Sequence, residues 1–185
     1  MKLSLEQKAI PYLTNQFAQA GKVIFISIRP ERGKLPITVE KVNAIEGVGL
    51  AGDHYASKGG KRQVTLIQAE HIKAVASMVG QAEINPLLLR RNIVVEGINL
   101  QALKGKKFRI GNAVLEHTGD CHPCSRMEEN LGNGGYNAMR GHGGITARIL
   151  TSGLISLDDT LSPMEQPQEF PSPTLHSATD QGLQP

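Results

Sequence analysis

Two cysteines stand three residues apart in the part of the chain that is richest in reactive side chains. This part reads HTGDCHPCSRMEENLGNGGYNAMRGHGGITARIL, and Cys121 and Cys124 form its C-x-x-C motif. Ser125 with Glu128 three residues later is a capping-box pattern, which predicts that a helix begins directly after Cys124. The positive end of that helix and the neighbouring Arg126 would favour a thiolate at Cys124. A thiolate can act as a nucleophile, a persulfide carrier or a soft metal ligand.

A glycine-rich segment follows the cysteines. Six glycines fall within thirteen residues, from Gly132 to Gly144, and they surround Asn137, Arg140 and His142. Glycine at this density lets backbone N–H groups approach a bound anion closely. Such segments also occur as loops that bind nothing. The segment is therefore a candidate ligand-binding loop that needs support from other residues.

The C-x-x-C motif alone leaves several interpretations open. It could be a thioredoxin-type redox pair, although the βαβ pattern typical of that setting is not visible. It could hold zinc with His117, His122 or His142, although a second C-x-x-C or an H-x3-H motif is missing. A cysteine before a helix can also be a small buried hydrophobic residue without any reaction. Two cysteines so close in sequence are too few to stabilise a chain of this size by a disulfide, so a reactive role is the better expectation than a structural one.

Short stretches of alternating or β-branched residues predict a mainly β fold. The predicted strands are KVIFISI (22–28), ITVEKVNAI (37–45), QVTLIQ (63–68), RRNIVVEGI (90–98), the hairpin KKFRIGNAVLEHTG turning at Gly111-Asn112, and two stretches around Gly153. Their lengths and the glycines between them are typical of a barrel. No regular βαβ alternation is visible, which argues against a doubly wound sheet.

Only a few helices are predicted. One N-terminal helix would run from Ser4 to Ala20, bent or broken at Pro11. An amphipathic helix would begin at Ala69 and end at Gly80, and a helix of one or two turns would follow Cys124. We therefore expect a β-barrel-like domain with a few short helices.

Charge is distributed unevenly along the 185 residues. The whole chain has a net charge of +3, but no Lys or Arg follows Arg148, so residues 1–157 alone carry +8. Such a body suits an anionic small molecule or a nucleic acid. The chain has no dense basic tract and its few aromatic residues are dispersed, so we do not expect nucleic-acid binding.

No stretch approaches the 18 or so apolar residues of a membrane span, and the N-terminus lacks the apolar core of a signal peptide. We therefore expect a cytoplasmic protein that does not enter a membrane. Five of the ten prolines fall in the last 23 residues, among Ser, Gln and Thr. This composition predicts a disordered tail.

Four segments together resemble the MOSC domain, the molybdenum cofactor sulfurase C-terminal domain, and in particular its short, stand-alone bacterial members. They are GLAGDHY, RRNIVVEGI, FRIGNAVLE and the cysteine- and glycine-rich TGDCHPCSRMEENLGNGGYNAMRGHGGITARIL. The resemblance covers about residues 22–161. It divides the chain into an N-terminal helical extension (1–21), a MOSC domain of the β-barrel type (22–161) and an acidic, proline-rich tail (162–185).

The resemblance implies binding of the molybdenum cofactor, molybdopterin carrying molybdenum, through an essential cysteine that matches Cys124. In some family members this cysteine is a thiolate ligand to molybdenum, and the protein reduces N-hydroxylated compounds. In others it is a proposed acceptor of sulfur from a pyridoxal-phosphate-dependent cysteine desulfurase. Cys121 is not a general position of the family.

Three functions therefore compete. The first is reduction of N-hydroxylated bases or amines, which requires an electron-donating reductase as partner because no flavin, haem or iron–sulfur motif is visible. The second is a non-enzymatic carrier that hands a persulfide or the cofactor to other molybdoenzymes. The third is a structural or redox module in which Cys121 and Cys124 pair or bind zinc.

The predicted site combines arginines with polar residues from both halves of the chain. Because the pterin carries a phosphate, arginines are its natural partners. Asn92 and His142 could bond the pterin edge or an oxo group, and Asp53 and His54 could form the opposite wall. We predict Cys124 as catalytic residue and metal ligand, and as cofactor-binding residues Asp53, His54, Arg90, Arg91, Asn92, Arg126, Asn137, Arg140, His142 and Arg148.

Overall fold

A closed barrel of seven strands forms the body of the protein. The structure, a computed structural model, describes residues 10–55 and 59–164. Its strands are β1 (Gly21–Ile28), β2 (Ile37–Thr38), β3 (Lys41–Ile45), β4 (Gly49–Leu50), β5 (Val64–Gln68), β6 (Ile93–Glu96), β7 (Lys107–Ile110), β8 (Ala113–Asp120), β9 (Ile145–Thr151), β10 (Gly153–Ser156) and β11 (Thr160–Pro163). Around the barrel the order is β1-β11-β7-β8-β9-β5-β6, and β6 pairs with β1 again. The prediction of a mainly β barrel with a few short helices is confirmed.

The interior of the barrel is filled by alternate side chains of its strands. In β7, Phe108 and Ile110 are fully buried while Lys107 and Arg109 face outward. The same core takes in residues such as Val23, Leu66 and Leu115. Each large side chain buried in this way stabilises the fold by about 1.5–3 kcal/mol, so the period-two pattern of the sequence favours strands that turn one face toward the core.

Short helices precede and connect the strands. They are α1 (Ile10–Leu13), α2 (Ala69–Met78), α3 (Pro86–Leu89), α4 (Arg126–Leu131) and α5 (Gly135–Ala138), and a 3-10 helix spans Leu100–Leu103. Residues of α2, α3, α4 and α5 pack on one outer face of the barrel. A second apolar cluster joins Val75 of α2 and Met127 of α4 to Ile67 and Val94 of the barrel wall. Strand β5 is consequently buried along its whole length, because the barrel core lies on one side and the helices lie on the other.

One parallel strand pair interrupts the otherwise antiparallel barrel. Strand β5 pairs in parallel with β6, and α2 and α3 lie in the connection between them. The sequence pattern revealed no regular βαβ alternation, and a single such unit is too little to create one. The remaining pairs of the barrel, including the predicted hairpin of β7 and β8, are antiparallel.

Several predicted elements differ in length. The predicted strand 37–45 is divided into β2 and β3, and β11 was not foreseen. Strand β11 extends to Pro163, two residues into the segment assigned to the tail, while residues 165–185 lie outside the described residues. Among the described residues, no helix is long and apolar enough to cross a bilayer.

The N-terminal helix is shorter than predicted. Of the expected span from Ser4 to Ala20, residues 4–9 lie outside the described residues, and the helix ends at Leu13. Beyond it, Phe17 packs against the barrel core, and the side chain of Gln19 donates a hydrogen bond to the carbonyl oxygen of Gly97 at 3.0 Å. These contacts with the barrel take the place of further helical turns.

Candidate functional site

A cleft lined by arginines opens at one end of the barrel. Its volume is about 200 Å³. Strand β1 ends there while β5 and β6 begin there, because β1 runs antiparallel to β6 and β5 runs parallel to it. The loop before α4 completes the wall. The charged and reactive side chains of its lining are Arg29, Arg62, Arg90, Arg91, Arg126, Asp53, His122 and Cys124.

Asp53 is the one carboxylate among the described residues that line this arginine cleft. Its Oδ1 accepts a hydrogen bond from the backbone N–H of Tyr55 at 2.8 Å. Its Oδ2 accepts hydrogen bonds from the backbone N–H of Arg29 at 3.3 Å and from the side-chain amide of Asn92 at 2.6 Å. Both oxygens thus have protein partners, and the five guanidinium groups leave the cleft strongly positive.

Asn92 connects the walls of the cleft. Its Oδ1 accepts hydrogen bonds from the backbone N–H and the hydroxyl of Thr65, at 3.0 and 2.8 Å. Its Nδ2 donates to Asp53 and, at 3.3 Å, to the carbonyl oxygen of Ser27. The side chain predicted to bond the pterin edge therefore lines the cleft, but its polar atoms already join β1, β5 and the Asp53 loop.

Arg29 lies at the end of β1 and is 7% exposed. Its guanidinium carbon stands 4.3 Å from the centre of the Tyr55 ring, a cation–π contact that fixes the side chain. Its Nε is buried without a hydrogen-bond partner among the described residues. An unpaired buried donor on an arginine of the cleft is a feature that a bound anion would satisfy.

Arg90 adopts a left-handed backbone conformation, with φ of +59°, at the end of α3. A non-glycine residue in this region is strained by about 1–2 kcal/mol. Burial lowers the pKa of Arg90, and repulsion by Arg29 and Arg126 lowers it further, while Tyr55 and Cys124 act in the opposite direction. These three arginines line the same cleft as Cys124, and an anion bound among them would relieve the repulsion on Arg90.

Arg91 plays a different part from its neighbour. Its buried guanidinium donates three hydrogen bonds to carbonyl oxygens: from Nε to Gly143 at 2.7 Å, from Nη1 to Leu89 at 2.8 Å, and from Nη2 to Cys121 at 3.1 Å. Burial is the main cause that lowers its pKa. Arg91 therefore clamps two loops to the start of β6: the loop that contains Cys121 and Cys124, called the cysteine loop, and the glycine-rich loop.

The two cysteines occupy different environments. Cys121 is buried, and its sulfur accepts a hydrogen bond from Nη2 of Arg62 at 3.2 Å. Cys124 is exposed at the arginine cleft, and neither cysteine is in a disulfide. Within residues 10–55 and 59–164, no three His, Cys, Asp or Glu side chains are close enough together to hold a metal ion.

The helix after Cys124 forms as predicted, but the predicted capping box is wrong. Ser125 has helical backbone angles and makes no side-chain cap, so its hydroxyl cannot serve the helix N-terminus. Glu128 instead reaches forward, and its carboxylate accepts hydrogen bonds from the backbone N–H groups of Gly134 at 2.7 Å and Tyr136 at 2.9 Å. These two bonds lower the pKa of Glu128.

The predicted site residues separate into groups. Asp53, Arg90, Arg91, Asn92, Arg126 and Cys124 line the arginine cleft. His54 lies next to it, with its ring 4.5 Å from that of Tyr55. Arg148 forms an ion pair with Glu116 at 2.5 Å. Asn137 and Arg140 line a separate groove, and His142 packs edge-on against His71 of α2, with ring centres 4.8 Å apart.

Sequence reasoning missed Arg29, Tyr55 and Arg62. A signal was present, because Arg29 directly follows the predicted strand KVIFISI and Arg62 directly precedes QVTLIQ. Knowing that these two strand ends meet would have identified both arginines, but the order of strands in the barrel was not available from the pattern.

The family model of the MOSC domain matches residues 52–162, more than half of the chain. The chain belongs to the MOSC domain family. This MOSC domain contains the cysteine motif, the glycine-rich loop and most of the cleft within the matched residues. A comparison with curated proteins gives no match.

Solved structures share the fold of this MOSC domain. The YuaD protein from Bacillus subtilis is 20% identical, with a TM-score of 0.68 over 77% of this chain and 94% of that one. YiiM from Escherichia coli is 21% identical, with a TM-score of 0.61 over 78% of this chain and 70% of that one. YiiM from Geobacillus stearothermophilus is 17% identical, with a TM-score of 0.62 over 78% and 75%.

MOSC domains are associated with the molybdenum cofactor. The chemistry of the cleft fits such a group, because guanidinium groups are strong donors to a phosphate and soft sulfur ligands suit molybdenum. The unpaired Nε of Arg29 and the exposed thiol of Cys124 supply both at one place.

Lowering the pH from 7.5 to 5.5 should reduce the free energy of unfolding of this MOSC domain. Burial, and then the charge of His142, lower the pKa of His71 below its ordinary 6.5, and burial also lowers that of His117. The unfolded chain then binds more protons below about pH 6.5, so the stability present above that pH is lost as the pH falls toward the folded pKa values.

The variant His71→Gln should make this pH dependence shallower, because it removes one of the two histidines. Urea unfolding followed by circular dichroism at the two pH values measures the effect. The matched control is His122→Gln, which changes an exposed histidine. An unaltered slope in His71→Gln would show that His71 does not contribute.

Proposed function

We propose that this MOSC protein binds the molybdenum cofactor in the arginine cleft, with Cys124 as thiolate ligand, and reduces N-hydroxylated bases or amines. The observation that carries the proposal is the exposed thiol of Cys124 at the edge of a cleft lined by five arginines. A soft sulfur donor beside a cluster of anion-binding groups suits a sulfur-ligated metal with a phosphate-bearing pterin.

The arginines of the cleft would have two different roles in holding the cofactor. Arg29 and Arg126 both repel Arg90, and Nε of Arg29 has no hydrogen-bond partner among the described residues, so these three arginines would gain most from an anionic phosphate. Arg91 and Asn92 keep their protein partners and hold the walls in place. The bound group would supply the two-electron reduction by which R–NHOH, with two protons, becomes R–NH2 and water.

A reductase partner would have to deliver the electrons. The chain offers no visible flavin, haem or iron–sulfur motif. The exposure of Cys124 leaves the cleft accessible to substrates from solvent.

Molybdenum content tests the proposal directly. The protein and its Cys124→Ser variant would be purified from a cofactor-producing host and analysed for molybdenum. We expect near-stoichiometric metal in the wild type, loss in Cys124→Ser, and loss of 6-hydroxylaminopurine reduction with it. Cys121→Ser is the control, since Cys121 is buried against Arg62. Full molybdenum in Cys124→Ser would contradict the ligand role.

A sulfur or cofactor carrier is the second candidate. The exposure of Cys124 favours it as well, because a cysteine desulfurase could reach the thiol. Incubation with a desulfurase and cysteine would then add one sulfur, about 32 Da by mass spectrometry, to the wild type but not to Cys124→Ser. A free thiol without molybdenum in the wild type would favour this candidate over the enzyme.

A further inference from the structure

Arg62 is an exposed arginine of the cleft whose backbone is fixed at the start of β5. The carbonyl oxygen of Lys61 accepts a hydrogen bond from the hydroxyl of Thr118 at 2.7 Å. The backbone N–H of Gln63 donates to the carbonyl oxygen of Ala147 at 3.0 Å. An exposed arginine side chain has many rotamers, and holding it in one of them costs conformational entropy. A contact at the tip of the side chain is therefore needed to keep the guanidinium group in the cleft.

The sulfur of Cys121 makes that contact. Nη2 of Arg62 donates a hydrogen bond to Sγ of Cys121 at 3.2 Å. Cys121 is only 1% exposed, and its backbone N–H donates to the carbonyl oxygen of Gly144 at 2.9 Å. Its own carbonyl oxygen accepts a hydrogen bond from Nη2 of Arg91 at 3.1 Å. The sulfur is therefore a fixed point to which the tip of Arg62 is bound.

The contact holds Arg62 against a repulsion. Arg62 and Arg91 both bind Cys121, one at its sulfur and the other at its carbonyl oxygen. Burial lowers the pKa of Arg91, Cys121 acts in the opposite direction, and the charge of Arg62 lowers the pKa further. Because like charges repel, an Arg62 side chain without its bond to the sulfur would turn away from Arg91 toward the solvent.

A thiol can orient a guanidinium group without neutralising it. The sulfur of a cysteine is a weak hydrogen-bond acceptor, whereas a carboxylate at the same position would form a charge-assisted pair with Arg62. Within residues 10–55 and 59–164, none of the ion pairs involves an arginine of the cleft. The positive charge of Arg62 is therefore available to an anion in the cleft.

We propose that Cys121 is a positioning residue, which orients Arg62 toward an anion bound in the arginine cleft and leaves the charge of Arg62 free to bind that anion. The inference rests on the proposed function, in which the anion is the phosphate of the cofactor. It gives Cys121 a role that requires no reaction at its sulfur. The exposed thiol of Cys124 remains the reactive one.

Calorimetric titration of the metal-free protein with inorganic phosphate tests the inference without turnover. Cys121→Ala should weaken phosphate binding about fivefold, the loss expected for one hydrogen bond to a charged donor. Cys121→Ser keeps a hydrogen-bond acceptor and should bind phosphate as the wild type does. Cys121→Asp should weaken binding about tenfold, because its carboxylate holds Arg62 but neutralises it. If the hold on Arg62 were purely structural, Cys121→Asp would bind phosphate as well as the wild type does.

Arg62→Met shows whether the effect of Cys121 passes through Arg62. In the Arg62→Met background, the further change Cys121→Ala should leave phosphate affinity unaltered, because the side chain that Cys121 orients is gone. Arg62 is exposed, so its replacement should not prevent folding. Arg148→Met is the control for the loss of one positive charge, since Arg148 pairs with Glu116 and does not line the cleft. It should bind phosphate as the wild type does.

Three results would overturn the positioning role: a wild type that binds no phosphate, a Cys121→Ala variant that binds it as tightly as the wild type, or additive losses in the double variant. If any of these occurs while the wild type retains molybdenum and reduces N-hydroxylated compounds, the positioning role fails and the proposed function stands. If phosphate affinity depends on Cys121 through Arg62 but the wild type from a cofactor-producing host retains no molybdenum, the proposed function fails and the positioning role stands.

Discussion

Gly144→Ala should lower the free energy of unfolding by more than about 4 kcal/mol, a large fraction of the stability of an ordinary domain. A Cβ at this position would overlap the carbonyl oxygen of Leu66 and come within 2.9 Å of the Cα of Ile67. Both are backbone atoms of the buried strand β5, so neither can move aside cheaply. The backbone of Gly144 also has φ of +81°, which disfavours alanine further.

Gly141→Ala is the matched control for this prediction. Gly141 lies in the same loop with φ of +77°, but a Cβ there would have no neighbour within 4 Å. Gly141→Ala should therefore lower the free energy of unfolding only by the backbone strain, about 1–2 kcal/mol. Urea unfolding followed by circular dichroism would separate the two variants, and equal losses would show that the close approach to β5 is not the cause.

Arg91→Met should destabilise the protein by about 3 kcal/mol. The substitution removes the donors of three buried carbonyl oxygens, on Gly143, Leu89 and Cys121. Each unpaired buried acceptor costs about 1–3 kcal/mol. Part of this cost is offset, because the variant no longer buries a charged guanidinium group away from water. The cysteine loop and the glycine-rich loop should both loosen, which faster amide hydrogen exchange there would report.

Arg90→Met is the appropriate comparison, because Arg90 also lines the cleft but is repelled by Arg29 and Arg126. Its loss should leave the free energy of unfolding within about 1 kcal/mol of wild type while weakening retention of molybdenum. Chemical denaturation and elemental analysis of the two variants would distinguish a clamp from a ligand-binding arginine. A stable Arg91→Met protein would refute the clamp.

The alternation of apolar and polar residues and the positions of the glycines were enough to predict most strands. Every second side chain of an amphipathic strand faces the core, so the strand is visible in the sequence. They could not predict which strands are neighbours. Strand β6 lies beside β1 and β5, which are far from each other in sequence. Many pairings would satisfy the same alternation, and only packing of the whole barrel selects this one.

The unknown order of the strands also explains which residues of the candidate site could be predicted. Cys124 and Arg126 were predicted because reactive residues and their helix are consecutive in the chain. Arg29 and Arg62 were missed because they come together only where strand ends meet. Arg91 was predicted as a cofactor ligand on charge alone, whereas its hydrogen bonds show it bound to three carbonyl oxygens. Charge alone identifies candidate ligand-binding residues. Burial and hydrogen-bond partners are needed to tell an arginine that holds the fold together from one that can bind a ligand.

The pairing of β1 with β11 has a consequence for biosynthesis. Gly21 pairs with Leu161, so the barrel closes only when the last described strand reaches the first one of the ring. As the polypeptide leaves the ribosome, more than a hundred residues are synthesised between the two partners. During that time β1 and β7 present unpaired edges that can associate with other chains. Closure then depends on a contact of very long sequence separation, which is intrinsically slow. A nascent chain arrested before Thr160 would therefore be the form of this protein most in need of a chaperone.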